Sequence, residues 1–159
     1  MLLTPHTFVG TAIATSVPNI FISVPLSFLM HLLGDKVPHW DFFTGTKVED
    51  RRKGWRLIGV MLDLAVGVAV GMFFTLHALW VQHNSYLALN IFLCGLASNL
   101  PDAIEVPRSY FDSKNPFVMF MYRIQHAMQF RADLPWGVIS QLFVVLVCLA
   151  LLSGSLLQG

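Results

Sequence analysis

An apolar run from Leu57 to Trp80 most constrains how this chain can fold. It is 24 residues long and holds one formally charged side chain, Asp63. A helix needs about 20 apolar residues to cross the hydrocarbon core of a bilayer. The whole chain agrees, because 12% of its residues are charged and its mean hydropathy is +0.65, whereas soluble domains average about 25% charged residues. These values predict an integral membrane protein.

Other apolar segments lie on both sides of this run. Segments 4–17 and 20–33 are separated by Pro18-Asn19, and each is shorter than a full span requires. They predict two short spans or a hairpin that re-enters the membrane. Thr4 and Pro5 are typical of an N-cap and a first helical residue, so we expect the first helix to begin there.

The second half of the chain adds further predicted helices. Segment 87–100 is apolar and ends at Pro101-Asp102, and 137–157 is long enough for a last span. Segment 116–131 mixes aromatic and basic residues, as a helix at the membrane interface does. We therefore expect an all-α, polytopic membrane protein with about five helical segments and a short, hairpin-like first pair. Residues 1–159 form one transmembrane helical domain in this interpretation.

Basic residues predict the orientation of the chain. Segment 44–56 holds five Lys or Arg residues and 101–133 holds four, whereas 81–86 holds none. By the positive-inside rule, both basic segments are cytoplasmic and 81–86 is external. If the first pair of helices crosses and returns, the N-terminus is cytoplasmic too. The net charge of +1 gives no indication of a nucleic acid partner.

Histidines and carboxylates lie mainly at the predicted cytoplasmic helix ends. Ionisable residues in or beside a bilayer are costly and usually mark a site. His31 and Asp35 are four residues apart and would share a helix face. The nearby candidates are His31, Asp35, His39 and Asp41, and the distant candidates are His6, Asp63, Asp102 and His126. We expect His31, Asp35 and at least one distant candidate to converge within reach of one ion.

This combination of side chains predicts a divalent metal. Imidazole with carboxylate suits zinc, manganese or iron better than calcium, and zinc or manganese is the cofactor we expect. Two other interpretations stay open. The polar residues could clamp helix ends or hold a structural metal, or His31 and Asp63 could belong to the ion path of a small transporter. Between Asp63 and His77 the span offers only Thr75, which counts against the path.

At these residues the chain resembles a family of bacterial inner-membrane proteins, the membrane-bound metal-dependent hydrolases of the LexA-binding, inner-membrane-associated type. The shared pattern begins with Pro5-His6 followed by small and apolar residues. It continues with a Pro-containing turn after a helix, here Val37-Pro38-His39-Trp40-Asp41 and again Leu100-Pro101-Asp102, and with a later His-containing segment, here Gln125-His126. The chain is also distantly similar to zinc-dependent phospholipase C.

The chain departs from the family pattern in two places. His39 stands where the family tends to have Asp, and the family's His-Arg-Gly-x-x-His-Ser segment is represented only by His126 and Arg131. The resemblance implies a hydrolase of the bacterial inner (cytoplasmic) membrane. For a metal-dependent hydrolase, the catalytic candidates in this chain are Asp35, His39 and Asp41. Because the predicted site lies at headgroup depth, we expect membrane lipid as the partner and an ester or phosphoester, on a lipid or lipid-like molecule, as the substrate.

Overall fold

Six α-helices make up the described part of the chain. The computed structural model describes residues 1–43 and 53–156, and no strand occurs among them. The helices are α1 (Leu3–Ser16), α2 (Ile20–Gly34), α3 (Gly54–Trp80), α4 (Ser85–Phe111), α5 (Pro116–Met128) and α6 (Trp136–Leu156). The all-helical prediction is confirmed, and the described residues form six helices rather than about five.

Three of these helices are long and apolar enough to cross a membrane. They are Gly54–Trp80, Ser85–Phe111 and Trp136–Gly154, whereas Ile20–Gly34 is apolar but shorter. Large apolar side chains such as Leu62, Phe143 and Leu146 point outward from α3 and α6. Such outward apolar faces fit a hydrocarbon environment better than water. The predicted membrane character of the chain rests on these three helices.

The short helix α1 lies inside the bundle and packs against α2, α3, α4 and α6. Its buried face carries small residues, and Gly10 is the closest point of approach to α4. A Cβ added to Gly10 would lie 2.7 Å from the Cys94 carbonyl oxygen and 2.7 Å from Ser98 Oγ. Small residues at such crossings let membrane helices approach closely. Glycine at this position therefore sets the spacing of α1 and α4.

Asn90 of α4 ties together the first two helices at one end of the bundle. Its Oδ1 accepts a hydrogen bond from Ser23 Oγ at 2.6 Å. Its Nδ2 donates to the carbonyl oxygens of Ala14 and Val17, both at 3.0 Å. Because interhelical hydrogen bonds replace water in the membrane interior, Asn90 holds the short connection between α1 and α2 against α4.

At the other end, α1 begins differently from the sequence prediction. Thr4 is not the N-cap, because the helix already begins at Leu3. The acceptor for its first N–H groups comes from α3. Asp63 Oδ2 accepts from the Leu3 N–H at 2.6 Å, and Asp63 Oδ1 accepts from the Thr4 hydroxyl at 2.7 Å. A carboxylate from a neighbouring helix thus does what a local cap would otherwise do.

Helix α4 continues beyond the end that Pro101 predicts. It runs through both Pro101 and Pro107 to Phe111, so the expected end at residues 100–102 is wrong. Proline removes one backbone donor and can kink a helix without ending it, and packed neighbours support such a helix in a membrane protein. Asp102 consequently lies on a helix face rather than in a turn.

The residues that follow α2 form backbone hydrogen bonds with the connection between α5 and α6 and with the start of α6. The His39 N–H donates to the Phe130 carbonyl at 3.0 Å, and the Ala132 N–H donates to the His39 carbonyl at 2.7 Å. The Trp40 N–H donates to the Gly137 carbonyl at 3.1 Å. Although it lies outside a helix, His39 is therefore fixed in place by backbone hydrogen bonds.

Candidate metal centre

Five of the predicted ligands meet where α1 begins and α2 ends. His6 lies in the first turn of α1, His31 in the last turn of α2 and Asp35 at its C-cap. His39 follows in the fixed segment, and Asp102 reaches in from α4. The side chains of His6, His31, Asp35 and His39 are buried, whereas that of Asp102 is 32% exposed. The cluster therefore has a closed interior and one side that opens outward.

The distances place these groups around a common point. His6 Nε2 lies 3.2 Å from Asp35 Oδ1, and His31 Nε2 lies 3.7 Å from Asp35 Oδ2. His31 Nε2 also lies 3.5 Å from Asp102 Oδ1, and His39 Nε2 lies 4.0 Å from Asp35 Oδ1. One ligand atom each of His6, His31 and Asp102 lies within 4.8 Å of the others. His31, Asp35 and the distant candidate His6 thus lie close together, and the group that could share one ion is His6, His31 and Asp102.

The three histidines share one pattern of hydrogen bonding. One ring nitrogen of each lies against an acceptor: His6 Nε2 at Asp35, His31 Nδ1 at 2.6 Å from the Ser98 carbonyl, and His39 Nδ1 at 2.9 Å from the Val37 carbonyl. The other nitrogen of each ring is buried without a hydrogen-bond partner. Metal-binding histidines characteristically donate one ring N–H to a carboxylate or carbonyl and keep the other nitrogen for the metal.

Asp35 is the central negative charge of the cluster. Burial alone would raise the pKa of its carboxyl group. The hydrogen bond with His6 and the positive amino group of Met1, which contacts Asp35 Oδ1, outweigh burial and hold this pKa well below its usual range. Asp35 is therefore ionised, and it orients His6 while lying close to the other two histidines.

His39 is kept neutral by its surroundings. Burial is the largest influence and lowers the pKa of its imidazole, and the positive charge at Met1 acts in the same direction. The hydrogen bond to Val37 and the carboxylates of Asp35 and Asp41 oppose this shift without cancelling it. A neutral imidazole has a lone pair on Nε2, which is the form needed for binding a metal or accepting a proton.

Gln125 is a member of the site that the sequence did not reveal. Its side chain is fully buried, and its Nε2 donates to Asp102 Oδ1 at 3.0 Å. Its Oε1 is buried without a hydrogen-bond partner. The signal in the sequence was the Gln125-His126 pair, of which we expected the histidine to be the ligand. Helix α5 turns Gln125 inward and leaves His126 exposed.

Three predicted ligands have other contacts and do not enter the cluster. Asp63 caps α1, as described above. Asp41 Oδ2 pairs with Arg131 Nε at 3.5 Å, and its Oδ1 accepts from the Phe43 N–H at 2.6 Å. His126 stacks against Tyr122 with ring centroids 4.2 Å apart. Arg51 and Arg52 of the basic segment 44–56 lie outside the described residues.

A large cavity adjoins the cluster on the side of Asp102. Its volume is about 830 Å³, and it is lined by residues of α1, α3 and α4 together with Asp41–Phe43, Gln129 and Arg131. Asp102 lines this cavity while its Oδ1 also lies 3.5 Å from His31 Nε2. The partly exposed carboxylate is thus shared by the cluster and the cavity, so a molecule in the cavity could approach the ligand atoms.

Comparisons with known proteins add no relative to this description. No protein-family model matches the chain, and no curated protein or solved structure matches it.

Proposed function

We propose that the protein is a membrane-bound, divalent metal-dependent hydrolase that acts on an ester or phosphoester. The observation that carries this proposal is the set of three buried imidazole nitrogens without hydrogen-bond partners beside Asp35 and Asp102. Unpaired buried polar atoms are costly, and ligand atoms of His6, His31 and Asp102 lie close enough together to share one ion. The donors are nitrogen and carboxylate oxygen, which suits zinc or manganese.

His6, His31 and Asp102 would hold the ion. Two imidazoles and one carboxylate are a ligand set found in catalytic zinc sites, in which the fourth position stays open. Such an ion lowers the pKa of a bound water and polarises the carbonyl or phosphoryl oxygen of a substrate. The exposure of Asp102 towards the cavity supports a catalytic site over a closed, structural one.

Asp35 and His39 would serve the reaction without being the main ligands. Asp35 accepts the His6 hydrogen bond and thereby aims the opposite nitrogen, Nδ1, away from itself. His39, neutral and with a free Nε2 at 4.0 Å from Asp35, is the proposed proton acceptor. Asp41 instead holds Arg131 at the cavity edge, so its proposed role is to position that cation.

The proposed location is the bacterial inner membrane, with the site at the cytoplasmic face. The three apolar helices, the distribution of Lys and Arg and the family resemblance support it. A membrane-impermeant thiol reagent should label Ser85→Cys from outside intact cells and Lys53→Cys only after permeabilisation. The native Cys94 and Cys148 are buried, so they should not interfere. Labelling of both positions from the same side would contradict this orientation.

A structural metal is the second candidate, because the three histidines are almost completely enclosed. Hydrolytic activity distinguishes a catalytic metal from a structural one. The purified protein, loaded with Zn²⁺ or Mn²⁺ in detergent, is assayed against a panel of carboxylic and phosphoric esters. We expect hydrolysis that falls to background in His31→Ala and Asp102→Ala and persists in His126→Ala, an exposed histidine outside the cluster. Metal binding with no hydrolysis of any ester would favour the structural metal.

A further inference from the structure

The cavity beside the cluster lies between two of the helices that can span a membrane. Its volume of about 830 Å³ falls within the usual range of ligand pockets, about 300–1,000 Å³. Apolar side chains of α3 and α4 form most of its wall: Leu64, Val68, Met72, Phe92, Leu96 and Leu100. These residues belong to the spanning helices, so a ligand could enter this cavity directly from the hydrocarbon core.

Three glycines contribute to the wall of the cavity. Gly67 and Gly71 of α3 and Gly95 of α4 all line it. A Cβ added at Gly67 or Gly71 would lie 3.3 Å from the side chain of Thr7, so α3 packs closely on α1 there. A Cβ added at Gly95 would have no atom within 4 Å. The Cβ of a larger residue at position 95 would therefore enter open space at the cavity wall.

One end of the cavity is polar and leads to the cluster. Asp102 stands there, with Asn99 one turn earlier on α4, and the Asn99 Oδ1 is buried without a hydrogen-bond partner. Arg131, which pairs with Asp41, also lines this end. The described lining of the cavity thus combines many apolar side chains with carboxylates, the guanidinium of Arg131 and the proposed metal ligand Asp102.

We propose that this cavity binds the acyl chain of a membrane phospholipid and places the ester or phosphoester linkage beside Asp102. The amphipathic lining matches such a molecule, since the chain would lie between α3 and α4 and the phosphate near Arg131. The catalytic part of this inference rests on the proposed hydrolase function, and it names a phospholipid as the substrate class. The binding part stands on the cavity alone.

Two glycine variants test the binding. The probe is a phosphatidylglycerol with a photoreactive group at the end of one acyl chain, added to the purified, metal-loaded protein in detergent. Gly95→Leu fills the cavity, and Gly154→Leu is its control. Gly154 lies in α6 outside the cavity lining, and an added Cβ there also meets no atom within 4 Å. Metal content, measured on both variants, shows whether the site has kept its fold.

The wild-type protein should crosslink mainly at cavity residues of α3 and α4. Gly95→Leu should lower this crosslinking by about tenfold or more, and Gly154→Leu should leave it unchanged. Wild-type crosslinking in Gly95→Leu, an equal loss in Gly154→Leu, or crosslinks spread evenly over the outer face of α6 would each overturn the proposal. The readout needs no turnover, so specific crosslinking without hydrolysis of the lipid would count against the hydrolase function and leave the lipid site standing.

Discussion

Each histidine of the cluster has one hydrogen-bonded ring nitrogen and one buried ring nitrogen without a hydrogen-bond partner. A buried polar atom left unpaired costs about 1–3 kcal/mol, and the three free imidazole nitrogens and Gln125 Oε1 all lie in this region. Ligand atoms of His6 and His31 lie within 4.8 Å of each other and of one from Asp102. Because Asp35 and Asp102 supply negative charge beside them, the proposed divalent cation lies between these residues.

We predict that the side chain of Gln125 positions the carboxylate of Asp102. Gln125→Leu keeps the volume of the side chain and removes the donor to Asp102 Oδ1. Loss of such a supporting hydrogen bond should weaken zinc binding by about 10–100-fold, as measured by competition with a chelating dye. Gln82→Leu, at the end of α3 away from the cluster, is the matched control and should bind zinc as the wild type does. An unchanged affinity in Gln125→Leu would contradict this role.

Spacing along one helix predicted part of the cluster. The other members lie there because of contacts between helices that are distant in sequence. His31 and Asp35 share a helix face, as their separation of four residues requires, and both lie in the site. Gln125 could not be predicted in the same way. Its partner Asp102 lies on another helix, 23 residues away, and only the rotation of α5 decides whether residue 125 or residue 126 faces inward.

Among the elements, the start of α1 depends on α3. His6 lies in the first turn of α1, so whatever fixes that turn also positions His6. The turn has no side-chain cap of its own, and Asp63 supplies acceptors for Leu3 and Thr4. The carboxylate in the middle of the apolar run thus has a structural explanation that the sequence alone did not provide.

We predict that Asp63 is a cap and not a metal ligand. Asp63→Ala should lower the free energy of unfolding by about 1–2 kcal/mol, as loss of a helix cap does. Asp63→Asn retains a carbonyl acceptor and should lower it less. Both variants should still bind zinc stoichiometrically at saturating concentration. Chemical denaturation and metal analysis check this, with the exposed Asp133→Ala as control. Loss of zinc from Asp63→Asn would identify Asp63 as a ligand.

The ends of elements were the part of the fold least accessible from sequence. The apolar runs located the helices, since their composition alone separates them from the polar segments. Pro101 was expected to end α4, and the helix instead continues to Phe111, because proline costs only local hydrogen bonds that packing can offset. This continuation keeps Asp102 on the helix face that lines both cluster and cavity.

In the whole molecule, the histidine and carboxylate side chains of the cluster lie together at one end of an apolar helical bundle. Residues from α1, α2 and α4 and the fixed segment around His39 form the cluster, and Gln125 of α5 supports it. The contacts join residues that are far apart in sequence, such as His31 and Asp102, which are 71 residues apart. Composition predicts the membrane bundle, whereas such a convergence depends on how the helices pack, including the close approach of α1 to α4 at Gly10.

The metal content of the purified protein tests directly whether His6, His31 and Asp102 bind an ion. The protein is isolated without chelators and saturated with Zn²⁺ or Mn²⁺. After the excess ion is removed, the bound metal is measured by elemental mass spectrometry. We predict stoichiometric metal in the wild type and in His126→Ala, and its loss in His31→Ala and in Asp102→Ala. If the wild-type protein retains no metal, or if His31→Ala and His126→Ala retain equal amounts, the cluster is not the proposed metal site.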